Sequence, residues 1–305
     1  MTPPQLPDPF AIINRSSTVT IGGLPPVVNI GLQRGLDVWF DVKRTVKPGE
    51  SSTCDLKLRN LSDPHRQQLE AAVQKIASQS QAPGSTPACV PVGIEAGYVG
   101  NTSTIFAGNL RSAQTVLEDG DFVTEIECGD GDAAMLLART SASFAAPCSP
   151  LVVATRLIAD MGCGQGNLST YSALLLQSPL YASGGVLKGS SMDLLVTLAR
   201  SCGLEVSLQR GILQWSARGQ GVGGSAQAYV LSSSTGLYDS PSLDTKGVLH
   251  CKTAMLPGIQ PGSWIQLNAK FVSGVFRVVC LDIEGDTRGE AWSLQIEAKR
   301  PGLAA

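Results

Sequence analysis

The first 135 residues alternate between apolar and polar side chains in short stretches. The segments 36–43 and 54–59 each place an apolar side chain at every second position. A period of two predicts strands with one buried face, and Lys47-Pro48-Gly49 between the segments predicts a turn. Further strands are predicted at 92–98, 105–116 and 122–128.

One helix interrupts these strands. Ser62 is a predicted N-cap and Pro64 lies near the first helical position. An apolar stripe with helical spacing follows, made of Leu69, Ala72, Val73 and Ile76. The Pro- and Gly-rich segment 83–87 predicts a loop after the helix.

The segment 136–218 is predicted to be α/β. Helices are expected at 151–161 and 191–202, where Gly162 and Gly203 provide C-terminal caps. A hairpin is predicted at 204–215, with its turn at Arg210-Gly211, and the Gly-rich stretch 219–224 predicts a flexible linker or loop.

Strand patterns return from residue 225 to the end, at 265–269, 274–283 and 292–298. A shift of 170 positions places Phe106 on Phe276 and Phe122 on Trp292. The same shift places Ile126 on Ile296 and Glu127 on Glu297. This indicates a duplicated β-barrel-like unit, although two unrelated hairpins could also produce the matches.

Composition limits the classes of function. The chain has 305 residues, of which 43% are hydrophobic and 16% charged, and its net charge is −2. This length suffices for two or three domains, and the charge does not favour a nucleic-acid binder. The N-terminus does not resemble a signal peptide, and no apolar run is long enough to span a membrane. We therefore expect a protein kept in a cytoplasm-like compartment, or one that leaves it within something larger.

The eight cysteines do not indicate a metal site. They are Cys54, Cys89, Cys128, Cys148, Cys163, Cys202, Cys251 and Cys280. None forms a CxxC pair, so zinc is disfavoured. In the absence of a secretion signal, disulfides are disfavoured too, and most of these residues are expected to be buried free thiols.

The segment Asp160-Met161-Gly162-Cys163-Gly164-Gln165-Gly166 resembles a nucleotide- or S-adenosylmethionine-binding loop. Such a loop requires a preceding strand and an acidic residue about 20 positions later. Here the preceding segment has helical periodicity, and no acidic residue follows before Asp193. A helix cap followed by a turn is the preferred interpretation.

Nucleophilic catalysis would have to use His65 or His250, the two histidines of the chain. His250 and Cys251 are neighbours in a predicted strand, so their side chains are expected on opposite faces. No GxSxG motif is present. The sequence therefore offers no nucleophile with a partner base.

Three acidic clusters occur at 118–121, 129–132 and 284–286. Paired carboxylates could serve a glycosidase, and Asp130 with Asp132 could begin a calcium loop. The twelfth position of such a loop is Ser141 rather than Glu. Asp beside Gly is ordinary in turns, and turns are the preferred interpretation.

Several motifs in the last third of the chain form a recognisable series. It comprises the segment 256–262, then Gly274, Phe276 and Arg277 in a G-x-[YF]-R-V strand, then Gly285, Asp286, Thr287, Gly289 and Trp292 in a G-D-T-x-G-x-x-W turn. Earlier pieces at 40–45, 58–62, 105–108 and 129–132 fit in order. Together these motifs resemble the bacteriophage baseplate hub proteins.

This resemblance implies a mainly β (α+β) fold with two tail-tube-like β-barrel domains and a smaller α/β middle domain. We place the domains at 1–135, 136–224 and 225–305. It also implies a structural, non-enzymatic homotrimer at the distal end of the tail tube, assembled in the host cytoplasm and without catalytic residue, cofactor or metal. The expected partners are the tail tube protein, the spike protein and other baseplate proteins, with DNA in transient passage.

Two alternatives remain at this point. The same fold could serve as the hub of a tailocin or a type VI-like injection device. A tail-associated cell-wall hydrolase is an alternative of a different class.

Overall fold

The computed structural model describes residues 14–33, 35–80, 89–131, 137–178, 183–221 and 228–302. Strands account for 48% of the described residues and helices for 19%. The prediction of a mainly β protein is therefore confirmed. The predicted loop at 83–87 and part of the predicted linker at 219–224 lie outside the described residues.

The N-terminal region forms seven strands and one helix. In chain order they are β1 (Arg15–Ile21), β2 (Val27–Ile30), β3 (Val38–Thr45), β4 (Thr53–Arg59), α1 (Asp63–Ser80), β5 (Pro91–Tyr98), β6 (Asn101–Glu118) and β7 (Asp121–Gly129). The predicted period of two is present in the burial of β3 and β4, where buried and more exposed residues alternate.

The middle region contains two two-stranded antiparallel sheets, β8–β9 and β10–β11, and three helices. They are β8 (Arg139–Phe144), α2 (Pro150–Met161), α3 (Leu168–Gln177), β9 (Gly185–Ser190), α4 (Ser191–Ser201), β10 (Leu204–Gln209) and β11 (Ile212–Ala217). As predicted, α2 ends at Gly162, whose φ of 64° is left-handed. Helix α3 and the paired strands β8 and β9 were not predicted, because no element was assigned at 136–150 or between Gly166 and Ser191.

The C-terminal region returns to strands. They are β12 (Tyr229–Leu231), β13 (Ser242–Leu243), β14 (Val248–Ala254), β15 (Trp264–Asn268), β16 (Ser273–Asp286) and β17 (Trp292–Lys299).

A single 13-stranded sheet contains strands from both ends of the chain. Its main path runs β13-β14-β17-β16-β3-β4-β7-β6-β5-β1-β2, and β15 pairs with β12 and β16. The two regions meet where β3 pairs antiparallel with β16, with Val42 opposite Ile283. This junction joins residues about 240 positions apart in the chain.

The buried apolar residues form two clusters. One is formed mainly by residues of the large sheet and includes residues from both ends of the chain, from Val19 to Ala298. The other lies within the middle region, from Val153 to Trp215. All six residues of β10 are buried, and three of them, Leu204, Val206 and Leu208, belong to the second cluster.

The two terminal regions have the same strand order. The N-terminal region runs β3-β4-β7-β6-β5, and the C-terminal region runs β13-β14-β17-β16-β15. In both hairpins a β-bulge falls at the same place, beside Glu127 in β7 and beside Glu297 in β17.

The ladders correct the repeat proposed from sequence. Residues of β17 correspond to residues of β7 at the shift of 170, so Phe122 and Trp292 occupy equivalent positions. Residues of β16 correspond to residues of β6 at a shift of 168, because Leu117 lies opposite Phe122 and Gly285 lies opposite Trp292. The turn between β16 and β17 is two residues longer, so Phe276 is equivalent to Gly108 and not to Phe106.

Candidate assembly surface

The motif residues Gly285 and Trp292 lie where the two ends of the chain join. Gly285 is opposite Phe40 of β3 on one side and Trp292 of β17 on the other. The Phe40 and Trp292 rings pack edge to face, with centroids 5.7 Å apart and an interplanar angle of 65°. A Cβ at position 285 would overlap the Phe40 ring. Glycine therefore permits the close contact between these strands.

The turn from Asp286 to Ala291 is fixed by its own side chains. The Asp286 carboxylate accepts hydrogen bonds from the Arg288 N–H at 2.8 Å and the Gly289 N–H at 2.7 Å. The buried Thr287 hydroxyl accepts the Val38 N–H at 2.9 Å and lies 3.1 Å from the Asp37 carboxylate. The turn is thus bonded directly to the start of β3.

Arg15 of β1 holds the other side of this turn. Its guanidinium donates to the carbonyl oxygens of Asp286 at 2.8 Å, Gly289 at 2.7 Å and Glu290 at 3.0 Å. It also lies over the Trp292 ring, 5.2 Å from the centroid. Five of the motif residues therefore form one junction that ties the C-terminal turn to β1 and β3.

The other three motif residues lie further along β16. Gly274 has a φ of 135°, and Phe276 is buried opposite Ile265. The Arg277 guanidinium donates to the Glu205 carboxylate of β10 at 2.9 Å, and both side chains are buried. The structure thus divides the predicted motif into a junction between strands and an ion pair with the middle region.

The outer face of the joined sheet carries a row of carboxylates that sequence analysis missed. Glu284, Asp41, Asp55 and Glu127 lie directly opposite one another on β16, β3, β4 and β7. Like charges directly opposite in a sheet are destabilising. Each residue occupies a polar position of an alternating strand, but the pattern of one strand does not reveal which strand lies beside it.

Burial and neighbouring charges affect two carboxylates of this face. Burial raises the pKa of Asp41, Lys43 lowers it, and Asp55 raises it further. Burial also raises the pKa of Asp282, which Lys43 lowers and Asp41 raises. The ladder that brings β16 against β3 therefore places these two acids in each other's field.

The glycine-rich loop after α2 is a cap and a turn. The Gly162 N–H donates to the carbonyl oxygens of Ile158 and Ala159. The Gly164 N–H donates to the Gly211 carbonyl at 3.0 Å, and the Gly164 carbonyl accepts the Leu213 N–H at 2.9 Å. A Cβ at Gly166 would overlap the Leu213 carbonyl. These glycines let the loop approach the β10–β11 hairpin, and a helix precedes the loop where a ligand loop requires a strand.

The remaining candidate residues are dispersed. The Asp130 carboxylate accepts the backbone N–H groups of Arg210 and Gly211, so it binds the turn of the middle hairpin. Asp132 lies outside the described residues. His65 contacts Ser62 at 3.0 Å, whereas His250 is exposed and Cys251 is buried, on opposite faces of β14 as predicted.

The cysteines are free thiols, of which Cys54, Cys128 and Cys251 are buried. Cys148, Cys163, Cys202 and Cys280 are partly buried and Cys89 is exposed, so the expectation that most of the cysteines are buried holds fully at three of the eight. Within the described part of the chain, no group of three potential metal ligands occurs. Among those same residues, no helix has the length and apolarity needed to cross a bilayer.

Comparison with known proteins by sequence gives no match, either to a family model or to a curated protein. Comparison of folds gives several matches. A tail protein from Neisseria meningitidis MC58 superposes with a TM-score of 0.62 at 12% identity, covering 95% of this chain and 98% of that one. The 43 kDa tail protein of prophage MuSo2 from Shewanella oneidensis gives a TM-score of 0.58 at 9% identity, covering 94% and 97%.

A third similar structure comes from a different machine. The c3393 protein of E. coli is a type VI secretion component described as similar to the T4 bacteriophage tail proteins gp27 and gp5. It superposes with a TM-score of 0.55 at 10% identity, covering 94% of this chain and 78% of that one. These structures confirm the resemblance predicted from sequence at the level of the fold: this chain has the fold of phage tail proteins.

Proposed function

We propose that this chain is a baseplate hub subunit at the distal end of a phage-type tail tube. It joins the tube to the spike and surrounds the channel through which the genome passes. The fold shared with two phage tail proteins supports a structural role in the tail. The observation that carries the hub assignment is the repeated strand order of the two terminal regions, which are joined edge to edge by β3 and β16.

The repeated order supports two tube-type barrel domains. We assign them to residues 1–135 and 225–305, with an α/β middle domain at 136–224. The middle domain has its own apolar cluster. Its attachments to the terminal domains include the Arg277–Glu205 ion pair and the Asp130 contacts with the β10–β11 turn.

Two equivalent domains in one chain suit a homotrimer. Three copies would present six barrels, which matches a six-fold tube above and a three-fold spike below. Each barrel would use its edge strands for assembly, which converts an aggregation hazard into a specific contact. Closed cyclic symmetry keeps such association finite.

The carboxylate row favours one face of the sheet as the wall of the channel in this ring. If the outer face of the joined sheet lines the channel, Glu284, Asp41, Asp55 and Glu127 face the passing DNA. A negative wall does not retain phosphates, whereas a basic wall would bind them. The partners are then the tail tube protein, the spike protein and other baseplate proteins of the virion tail, assembled in the host cytoplasm.

A second candidate function is the hub of a tailocin or type VI-like injection device. The specific observation in its favour is the fold shared with the E. coli type VI component. A tail-associated hydrolase is less well supported. Its candidate acidic clusters lie at 118–121, 129–132 and 284–286. Asp286 accepts backbone N–H groups of its own turn, and Asp130 accepts those of the β10–β11 turn.

The decisive experiment is the mass of the purified protein by light scattering over a range of concentrations, followed by electron cryomicroscopy of purified particles. We expect a trimer in solution and density for three copies at the tail tip. A protein that stays monomeric at high concentration and is absent from particles would overturn the proposal. Zymography on peptidoglycan tests the hydrolase, and a cleared band would favour it.

A further inference from the structure

The C-terminal hairpin has a neighbour that the N-terminal hairpin lacks among the described residues. In the C-terminal hairpin, β17 covers one edge of the segment Cys280–Asp286 and β3 covers the other. The equivalent segment of β6 is Ser112–Glu118, and β7 covers one of its edges. No described strand pairs with its second edge.

Solvent exposure at equivalent positions differs accordingly. Trp292 is 4% exposed under the Phe40 ring, whereas its equivalent Phe122 is 45% exposed. Leu117, the equivalent of the buried Gly285, is 68% exposed. Arg66 of α1 lies over one face of the Phe122 ring, 3.9 Å from the centroid, and the area of Phe122 and Leu117 that stays exposed lies where a strand equivalent to β3 would cover it.

The strand equivalent to β3 is β13. Strand β3 lies beside β4, and β13 lies beside the equivalent strand β14. The registers of these ladders make Val42 of β3 and Leu243 of β13 equivalent positions. In this chain β13 pairs with β14 on one edge, and the described residues offer nothing on the other. Val42 is fully buried, but Leu243 is 38% exposed.

We infer that the open edge of β6 in one copy pairs antiparallel with the open edge of β13 in a second copy. This inference rests on the proposed ring. The β3–β16 register, transferred to the equivalent strands, places Thr115 opposite Leu243 and Leu117 opposite Pro241. The contact is head to tail, because each copy contributes β6 on one side and β13 on the other.

The backbone directions agree with this pairing. In an antiparallel ladder alternate residues direct their N–H and C=O to the same side. Asp244 bonds to Val248 of β14, so the neighbouring residue Leu243 directs its N–H and C=O outward. The Phe122 carbonyl accepts the Asn60 N–H and so faces away from β6, which makes Leu117 and Phe122 a non-hydrogen-bonded pair. Thr115 and Leu117 therefore face outward, and Ser112, Gln114 and Val116 face β7. Thr115 and Leu243 would exchange two hydrogen bonds.

Pro241 removes one donor but keeps its acceptor. The Leu117 N–H can donate to the Pro241 carbonyl, while no N–H returns from proline. A proline on an edge strand also discourages indiscriminate pairing. The short β13 edge therefore selects a partner that also buries Leu117 and Phe122, which is what a second copy provides.

Cysteine cross-linking tests the register. Val116 and Ser242 would form a non-hydrogen-bonded pair, whose Cα atoms are about 4.5 Å apart in antiparallel sheets. In a Cys89→Ser background, we mix a Val116→Cys protein with a Ser242→Cys protein under mild oxidation. We expect a disulfide-linked dimer containing the 116–242 peptide by mass spectrometry. The control pair Gln114→Cys with Ser242→Cys is offset by two residues and should cross-link at least tenfold less.

Thr115→Pro provides the second measurement. Its N–H faces the open edge, so proline at 115 spares the ladder to β7 while removing a bond to the second copy. We expect the trimer dissociation constant to rise at least tenfold, with the melting temperature of the dilute monomer nearly unchanged. A trimer that forms normally without the 116–242 cross-link and tolerates Thr115→Pro would overturn this inference and leave the hub intact. A wild-type protein that is monomeric at all concentrations would overturn both.

Discussion

The Phe40 ring packs edge-on against Trp292 although 252 positions separate the two residues in the chain. Phe40 reaches Trp292 across Gly285, which lies between them in the sheet. This contact packs over the ladder that joins the N-terminal and C-terminal strands.

Adding one methyl group at Gly285 should destabilise the junction. The Cβ of Gly285→Ala would overlap the Phe40 ring, and overpacking in a core costs typically about 1–3 kcal/mol. Urea unfolding monitored by tryptophan fluorescence gives the free energy of unfolding. The double variant Gly285→Ala with Phe40→Leu should cost less than the sum of the single changes, and strict additivity would contradict the contact.

Removing the Thr287 hydroxyl should have a cost of similar size. Thr287→Val keeps the shape of the side chain but leaves the Val38 N–H without its acceptor at 2.9 Å. An unsatisfied buried group costs about 1–3 kcal/mol. Thr245→Val, at an exposed turn position, is the matched control and should change stability by less than about 0.5 kcal/mol. Equal effects from the two changes would argue against a role for this bond.

Neutralising the carboxylate row should stabilise the subunit. Asp41 lies between Glu284 and Asp55. Like charges directly opposite in a sheet are destabilising, on a scale where favourable cross-strand pairs contribute about 0.2–1 kcal/mol. We therefore expect Asp41→Asn to raise the free energy of unfolding at pH 7, whereas the exposed Asp239→Asn should leave it nearly unchanged. A loss of stability in Asp41→Asn would show that the row is held by favourable contacts.

The same row should make stability depend on pH. Folding raises the pKa values of Asp41 and Asp282 above the ordinary value of 3.8. At pH values between the unfolded and the folded pKa, the folded state binds more protons than the unfolded state. The two carboxyl groups therefore destabilise the fold, and this destabilisation is complete at pH values above the folded pKa. Their destabilisation is lost as the pH falls from the folded pKa towards 3.8. Asp41→Asn should reduce this component in unfolding measurements made from pH 7 downward, and an unchanged profile would contradict it.

Breaking the ion pair between Arg277 and Glu205 should be costly. Both side chains are buried, and Arg277→Met leaves the Glu205 charge without the guanidinium at 2.9 Å. Loss of one partner from a buried pair costs about 3–5 kcal/mol, and replacement of both by apolar residues is often neutral. The double variant Arg277→Met with Glu205→Leu should recover most of the loss in urea unfolding. No recovery would indicate that packing, rather than charge, dominates here.

The sequence predicted the strands most reliably where each has one buried face. Segments 36–43 and 54–59 became β3 and β4 because alternation of apolar and polar residues fixes which side of a strand is buried. The sequence did not predict α3, because its apolar run has no clear period. Leu175 is buried, whereas its neighbours Leu174 and Leu176 are exposed. The motif turn was found by its residues, but its bonds to Val38 and Arg15 could not be read from spacing.

The amino-acid sequence by itself determined the mainly β character, the caps of the helices and the likeness of the two terminal hairpins, because these depend on neighbours within a few positions. Tertiary structure alone decided that β16 lies beside β3, that four carboxylates align across four strands, and that no described strand covers the second edges of β6 and β13. Strand pairing over such distances depends on how whole sheets pack and close. The periodicity of a single strand is the same whichever strand lies beside it.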